Sequence, residues 1–340
     1  SLHLSPSGKR VVAGHSDRTV RIFDAVTGEP LLTLGDAGQR IRSAVFGPEG
    51  RRVAVLLADG GVEVRNVDTG ETERRLGTVD VPEEPNDWNF GEIRWRPGAD
   101  EVLATMGTTA SVWDVATGER RLVLEGLGTF VTYAPDGRRL ASTTSVDGRR
   151  SGPTCVWDAD TGERLFALSD GADFVGKARF GPDGTHILSE SGKARLWDAS
   201  DGTLLRTFAG EIGGRATEFS ADGRWVIMRA PFVWPQPQDS VTLWSVETGE
   251  RRPPFPWQTA PLEFLEYSAD GSRLLVHQRD RKPALYDEDE ATLLREIEVG
   301  SWVPGKLDSR LHPHGTCFLD ALWDGSILVT DLRPGGGQSR

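Results

Sequence analysis

Apolar residues in this chain come in strand-length runs, each closed off by turn-forming residues. RRLAST (138–143) and RLFAL (164–168) are typical, and the longest unbroken apolar run is only Val53 to Ala58. That is far short of the roughly 20 residues a membrane helix requires. Two turn signatures separate the runs. The first, of Pro-Asp-Gly type, appears as SPSG (5–8), GPEG (47–50), APDG (134–137), GPDG (181–184), SADG (220–223 and 268–271) and HPHG (312–315), with RPGA (96–99) a weaker copy. The second follows an aromatic-acid pair: RIFDAVTGE (21–29), SVWDVATGE (111–119), CVWDADTGE (155–163), RLWDASDGT (195–203) and TLWSVETGE (242–250). EVRNVDTGE (63–71), ALYDEDEAT (284–292) and LVTDLRPGG (328–336) are diverged copies. Gly184 and Gly162 supply the positive φ of tight hairpin turns, while Asp and Thr bond back to the local backbone. Adjacent apolar residues such as Val112 and Trp113 point to opposite faces of a strand. Both faces are therefore predicted to be buried, as between stacked sheets.

The aromatic position falls at Phe23, Arg65, Trp113, Trp157, Trp197, Trp244, Tyr286 and Thr330, at intervals of 42, 48, 44, 40, 47, 42 and 44 residues. Such a period fits a four-stranded antiparallel unit. Strand a ends in the Pro-Asp-Gly turn, strand b follows, strand c carries the aromatic, and strand d closes the unit. The predicted fold is all-β, one domain over 1–333, with units at about 2–34, 41–76, 92–124, 129–168, 176–208, 215–255, 262–297 and 306–333 and a flexible tail at 334–340. The motif resembles the WD-repeat family over nearly the whole chain, from about Leu2 to Leu332. The resemblance implies a β-propeller. Eight units are countable, so eight blades are predicted, with seven as the alternative. The eighth unit is expected to lack its outer strand, because strand c is followed by PGGGQSR. Propellers of this type close their ring by borrowing a strand from the other terminus, since an open edge invites mispairing. Together with the start at Ser1 rather than Met, this leads to the expectation that the chain is a piece of a longer protein.

In the family, a hydrogen-bonded set links the strand-c Trp to a strand-b Ser or Thr, a loop Asp and a His after strand d. Ser142 with Trp157 and Ser189 with Trp197 are expected to form the first link. No histidine lies in any d-to-a connection. Rigidity is therefore expected mainly from packing, and an indole N–H such as that of Trp113 needs another acceptor.

Composition narrows the function classes. A net charge of −12 and pI near 5.1 disfavour nucleic acid and anionic membranes, which reward clustered Lys and Arg. Cys155 and Cys317 are too few for a disulfide framework and lack zinc-site spacing. No signal-peptide pattern opens the chain, and a cytoplasmic location is expected.

Because strands alternate in direction, b–c and d–a connections emerge on one edge of each unit, and a–b and c–d turns on the other. The long connections share the first edge: 77–91, 144–153, 229–240, 253–261 and 298–304. Within them lie Trp88, Phe90, Phe232, Trp234, Trp257 and Trp302. Aromatics are enriched at interface hot spots, so these six are the candidate partner-binding residues, the alternative being that each ring folds back over its own unit. Pro-flanking in FVWPQP (232–237) and PPFPW (253–257) stiffens the backbone and reduces ordering cost.

Chemistry-bearing patterns are sparse. Of six histidines, His312 and His314 flank Pro313 without the carboxylate partners a metal site needs. The DEDE run (287–290) lacks the alternation of a calcium loop and reads as a solvated acidic turn. GxSxG, HExxH, GxxxxGK[ST] and GxGxxG are all absent. No catalytic residue, cofactor or metal is predicted. The expected function is a non-catalytic scaffold that binds a protein or peptide on the long-loop face. One alternative is a sensor propeller within a larger signalling protein carrying a kinase or nucleotide-switch ATPase; another is a propeller hydrolase or small-ligand binder.

Overall fold

A computed structural model of the protein describes residues 2–14, 17–25, 27–36, 38–80, 91–144, 152–169, 177–209, 217–229, 241–260, 262–268, 271–278, 281–288, 292–296, 306–311, 317–322, 327–331 and 338–339. Every regular element among them is a β-strand, and each sheet is an antiparallel meander in chain order. The fourth sheet is representative: Leu127–Tyr133, Arg139–Thr144, Thr154–Asp158 and Arg164–Ala167 lie side by side as strands a to d. The protein is an all-β propeller of four-stranded antiparallel blades. Among the described residues, seven sheets carry the full four strands and the sixth carries three.

Burial follows from position in the sheet. The second strand Glu101–Met106 is buried throughout, whereas the outer strand Arg164–Ala167 is mostly exposed. Central strands covered on both faces read as continuous apolar runs. The cores lie between sheets rather than within one. Trp113 of the third sheet, for instance, packs with Leu56, Val64 and Leu76 of the second.

The two turn signatures account for one edge. Each a–b connection spans five residues, as at 47–51 and 134–138. In the a–b turns a glycine N–H closes on the residue three before it, as in Gly137 N–H to Ala134 O at 2.9 Å. In the c–d turns Asp158 Oδ1 accepts from Thr161 N–H at 2.8 Å and Thr161 Oγ1 accepts from Glu163 N–H at 3.2 Å. Gly162 closes that turn at φ +74° and sits against the preceding sheet, so close that an added Cβ would stand 2.7 Å from Leu122 Cδ1. The Asp and Thr of the motif thus satisfy the turn backbone, and its Gly allows neighbouring sheets to approach.

Arginines reinforce the same edge. Arg52 pairs with Asp100 of the next sheet through two hydrogen bonds of 2.8 and 3.1 Å. Arg96 donates to Gly137 O at 2.8 Å, Arg139 to Gly184 O at 3.0 Å, and Arg206 to Val246 O at 3.1 Å. Each bond crosses from one sheet to its successor. Packing was the expected source of rigidity; these inter-sheet clasps are a second one.

Two expectations about outer strands are corrected. The last unit does have a fourth strand, because Gln338–Ser339 pairs with Val329 and Thr330 inside the segment expected to be a flexible tail. A two-residue polar strand after a glycine run has no alternation to betray it, and main-chain bonding does not depend on side-chain character. The sixth unit, expected to be complete, stops at three strands plus a single bridge between Trp244 and Arg251. The register that pairs Val156 with Phe166 and Leu196 with Arg206 would set Leu243 opposite Pro253. Proline has no N–H to give to the ladder.

Candidate interaction surface

The residues at the aromatic position of strand c form a repeated inter-sheet anchor. Phe23, Trp113, Trp197 and Tyr286 are buried, and Trp157 and Trp244 are partly so. Trp157 Nε1 donates to Ser142 Oγ at 3.0 Å and Trp197 Nε1 to Ser189 Oγ at 2.7 Å, as expected. Trp244 departs from this and donates to Thr242 of its own strand at 3.0 Å. In the second sheet Arg65 takes the place of the indole. Its guanidinium is buried, bonds Glu63 at 2.8 and 3.1 Å, and donates to the Leu34 carbonyl of the first sheet.

Of the six candidate partner-binding residues, Trp257 lies within the described residues, while Trp88, Phe90, Phe232, Trp234 and Trp302 lie outside them. The Trp257 ring is stacked between Phe255 at 4.5 Å and Tyr286 at 3.9 Å. Both of its faces are thus covered inside the chain, leaving an edge to offer a partner. This is the alternative in which a loop ring covers its own core.

The proline-rich stretch around Trp257 substitutes for the missing outer strand. Phe255 falls six residues after the turn glycine Gly249, just as Leu124 follows Gly118 and Leu168 follows Gly162. All three are buried. The core position therefore survives although the strand does not. Arg252 holds the stretch in place: its N–H donates to Leu243 O at 2.8 Å, and its guanidinium lies 4.0 Å from the Phe255 ring centroid and 4.9 Å from that of Trp225.

That guanidinium also bonds Glu288 Oε1 at 2.8 Å, across to the seventh sheet. Glu288 is only 6% exposed, which corrects the reading of the DEDE turn as solvated at this position. The pairing could not be read from the turn alone, since Arg252 is 36 residues away. Tyr267 Oη donates to the same oxygen at 3.4 Å. Burial first, and then the Glu288 carboxylate, push the Tyr267 phenol well above its ordinary range. A neutral hydroxyl next to an ion pair is a structural arrangement that ties the sixth sheet to the seventh.

Among the described residues no group of three or more His, Cys, Asp or Glu side chains could hold a metal ion. No helix among them is long and apolar enough to cross a membrane. His312 and His314 lie outside the described residues.

The strand order fixes where the long connections emerge. Segments 79–91, 145–153 and 230–240 all leave from the edge opposite the five-residue turns. One edge is therefore short, uniform and clasped by arginines. The other is where the strands that border connections of unequal length end.

A family model described as "WD domain, G-beta repeat" matches residues 1–24. WD repeat-containing protein 1 of Bos taurus is 29% identical over 107 residues, which is 31% of this chain and 17% of the bovine protein. The chain thus matches less than a fifth of that relative's length. An uncharacterized WD repeat-containing protein of Deinococcus radiodurans is 28% identical over 253 residues, covering 65% of this chain and 91% of that one. Among solved structures, the computationally designed Ika8 protein matches with a TM-score of 0.64 at 19% identity, covering 97% of this chain and 95% of its own. At that identity the likeness concerns the fold alone.

Proposed function

Since the chain is a WD-repeat β-propeller, we propose that it is a non-catalytic scaffold that holds a protein or peptide partner on the edge bearing the long b–c and d–a connections. Propellers of this family generally act as interaction scaffolds. The observation that carries the reading is the contrast between the two edges. Five-residue turns on one side are locked by backbone capping and inter-sheet arginines. Segments of very different length share the other. Variable surface loops on a rigid frame are where binding residues concentrate.

Within this reading the partner-facing residues are Trp88, Phe90, Phe232, Trp234, Trp257 and Trp302, with Trp257 offering only the edge that its stack on Phe255 and Tyr286 leaves uncovered. The ring is proposed to have eight blades, the sixth using the Arg251–Phe255 stretch in place of its outer strand. Seven is the count when only four-stranded sheets are admitted.

The test replaces Trp88, Trp234 and Trp302 by Ala together, with thermal melting as the fold control. Proteins retained by the immobilised wild type should be lost from the triple variant at an unchanged melting temperature. Equal retention by a folded triple variant would remove this edge from consideration.

A further inference from the structure

Strand register sets one residue of each innermost strand at a common level, one step before the strand ends in its turn. Arg94 stands opposite Leu103, Thr132 opposite Ala141 and Arg179 opposite Leu188, on the third, fourth and fifth sheets in succession. Side chains alternate across a strand. The flanking residues Ile93 and Trp95 pack back onto the second sheet, Val131 and Tyr133 onto the third, and Ala178 and Phe180 onto the fourth. Arg94, Thr132 and Arg179 therefore each take the opposite face of their own sheet, on the first strand of each and at the same level.

These three groups carry unused donor capacity. The Arg179 side chain has no hydrogen-bond or ion-pair partner among the described residues. Thr132 Oγ1 is buried and has no hydrogen-bond partner there. Arg94 bonds Glu92 at 2.8 Å through one nitrogen, and its side chain is 43% exposed, so much of its donor fork stays open. On the same face Lys177 Nζ lies 3.7 Å from the Phe130 ring centroid, adding a third cation and an apolar surface. A chain of net charge −12 here gathers cations and a spare hydroxyl on three adjacent inner strands. The next two sheets carry Glu218 and Glu266 at that level, so the cationic wall is confined to one side.

We propose that this wall is a binding site for the carboxylate groups of an acidic peptide segment. A planar guanidinium fork matches a carboxylate bidentately. The Phe130 ring, already faced by Lys177, covers the aliphatic stem of a glutamate. Arg94 and Arg179 each stand one residue before the end of a strand that runs into a five-residue turn, whereas Lys177 and Phe130 stand two residues further back in the chain than Arg179 and Thr132, so the anchoring arginines belong to the turn edge and not to the long-loop edge.

The experiment measures fluorescence anisotropy of a labelled hexaglutamate peptide with the 340-residue protein, using hexalysine and inorganic phosphate as comparison probes and thermal melting as the fold control. Hexaglutamate should bind the wild type and hexalysine should not. The Arg94→Gln/Arg179→Gln variant should weaken hexaglutamate binding at least tenfold at an unchanged melting temperature. If the double variant melts early, Arg179→Gln alone takes its place, since Arg179 holds nothing in the fold, and a several-fold loss is expected. Hexaglutamate binding that is undetectable at millimolar protein, or equal in a folded variant, overturns the proposal. So does full displacement of hexaglutamate by inorganic phosphate at equal concentration, which would mark a general anion site.

Discussion

Arg65 of the second sheet donates a hydrogen bond to the main-chain carbonyl of Leu34 in the first. A guanidinium thus does at this seam what indole rings do at others. It is neutralised by Glu63, and both side chains are buried.

Removing one member of a buried pair strands the other. Arg65→Ala is expected to destabilise the fold by about 3–5 kcal/mol, the lower end if Arg75, 3.3 Å from Glu63, takes over. Arg65→Leu combined with Glu63→Leu should cost less than Arg65→Ala alone. Urea unfolding of the three proteins decides this, and a double variant weaker than the single one would contradict it.

The Trp197–Ser189 bond separates hydrogen bonding from ring packing. Ser189→Ala leaves the buried indole N–H without its acceptor and should cost about 1–3 kcal/mol. Trp197→Ala also loses the ring, whose side chain is fully buried, and should cost about 3–5 kcal/mol. Equal losses in a denaturant series would show that the ring contributes nothing beyond its N–H.

Gly162 and Gly192 both hold positive φ, at +74° and +67°. An added methyl at Gly192 meets nothing within 4 Å, whereas at Gly162 it collides with Leu122 and Leu124. Gly192→Ala should therefore cost only the backbone penalty of about 1–2 kcal/mol. Gly162→Ala should cost distinctly more, because the neighbouring sheet must shift. Melting temperatures of the two variants provide the comparison.

Acid sensitivity follows from the c–d turns. The backbone N–H of Thr117 chiefly lowers the Asp114 pKa, that of Thr161 the Asp158 pKa, and the Ser200 hydroxyl the Asp198 pKa. A carboxyl whose folded pKa lies below its unfolded value of about 3.9 adds stability that is complete above that value. It is lost as pH falls through the folded pKa. Thermal stability should thus be flat with respect to these groups above about pH 5 and fall below about pH 4. The Asp114→Asn/Asp158→Asn/Asp198→Asn variant should show a shallower fall. A slope identical to wild type would assign acid sensitivity to other groups.

Much of this architecture was legible because the motif residues are tied to local geometry. The Asp, Thr and Gly of TGE-type turns bond within a few residues, so their spacing exposes the fold directly. The indole links to Ser142 and Ser189 were readable only through the family resemblance, which pairs a strand-c Trp with a strand-b Ser or Thr. Interactions between units left no such trace. Arg252 and Glu288 meet across sheets, and Arg65 occupies a position where the repeat leads one to expect an aromatic. The recurrent basic residue opening strand b, at Arg10, Arg52 and Arg139, was the available signal for the inter-sheet clasps. On the candidate edge, loop length was visible, but ring direction was not: Trp257 turned inward because Phe255 and Tyr286 bracket it.

The sixth sheet keeps its outer margin through ring stacking and one Arg252 N–H rather than through a ladder. Amide exchange with solvent should consequently reach Leu243 before its counterparts Val156 and Leu196, whose outer neighbours are regular strands. In a structure that repeats one module around an axis, such a discontinuity gives unfolding a place of origin. The order in which modules detach would run outward from the prolines, so that nearly equivalent units come apart in a defined sequence.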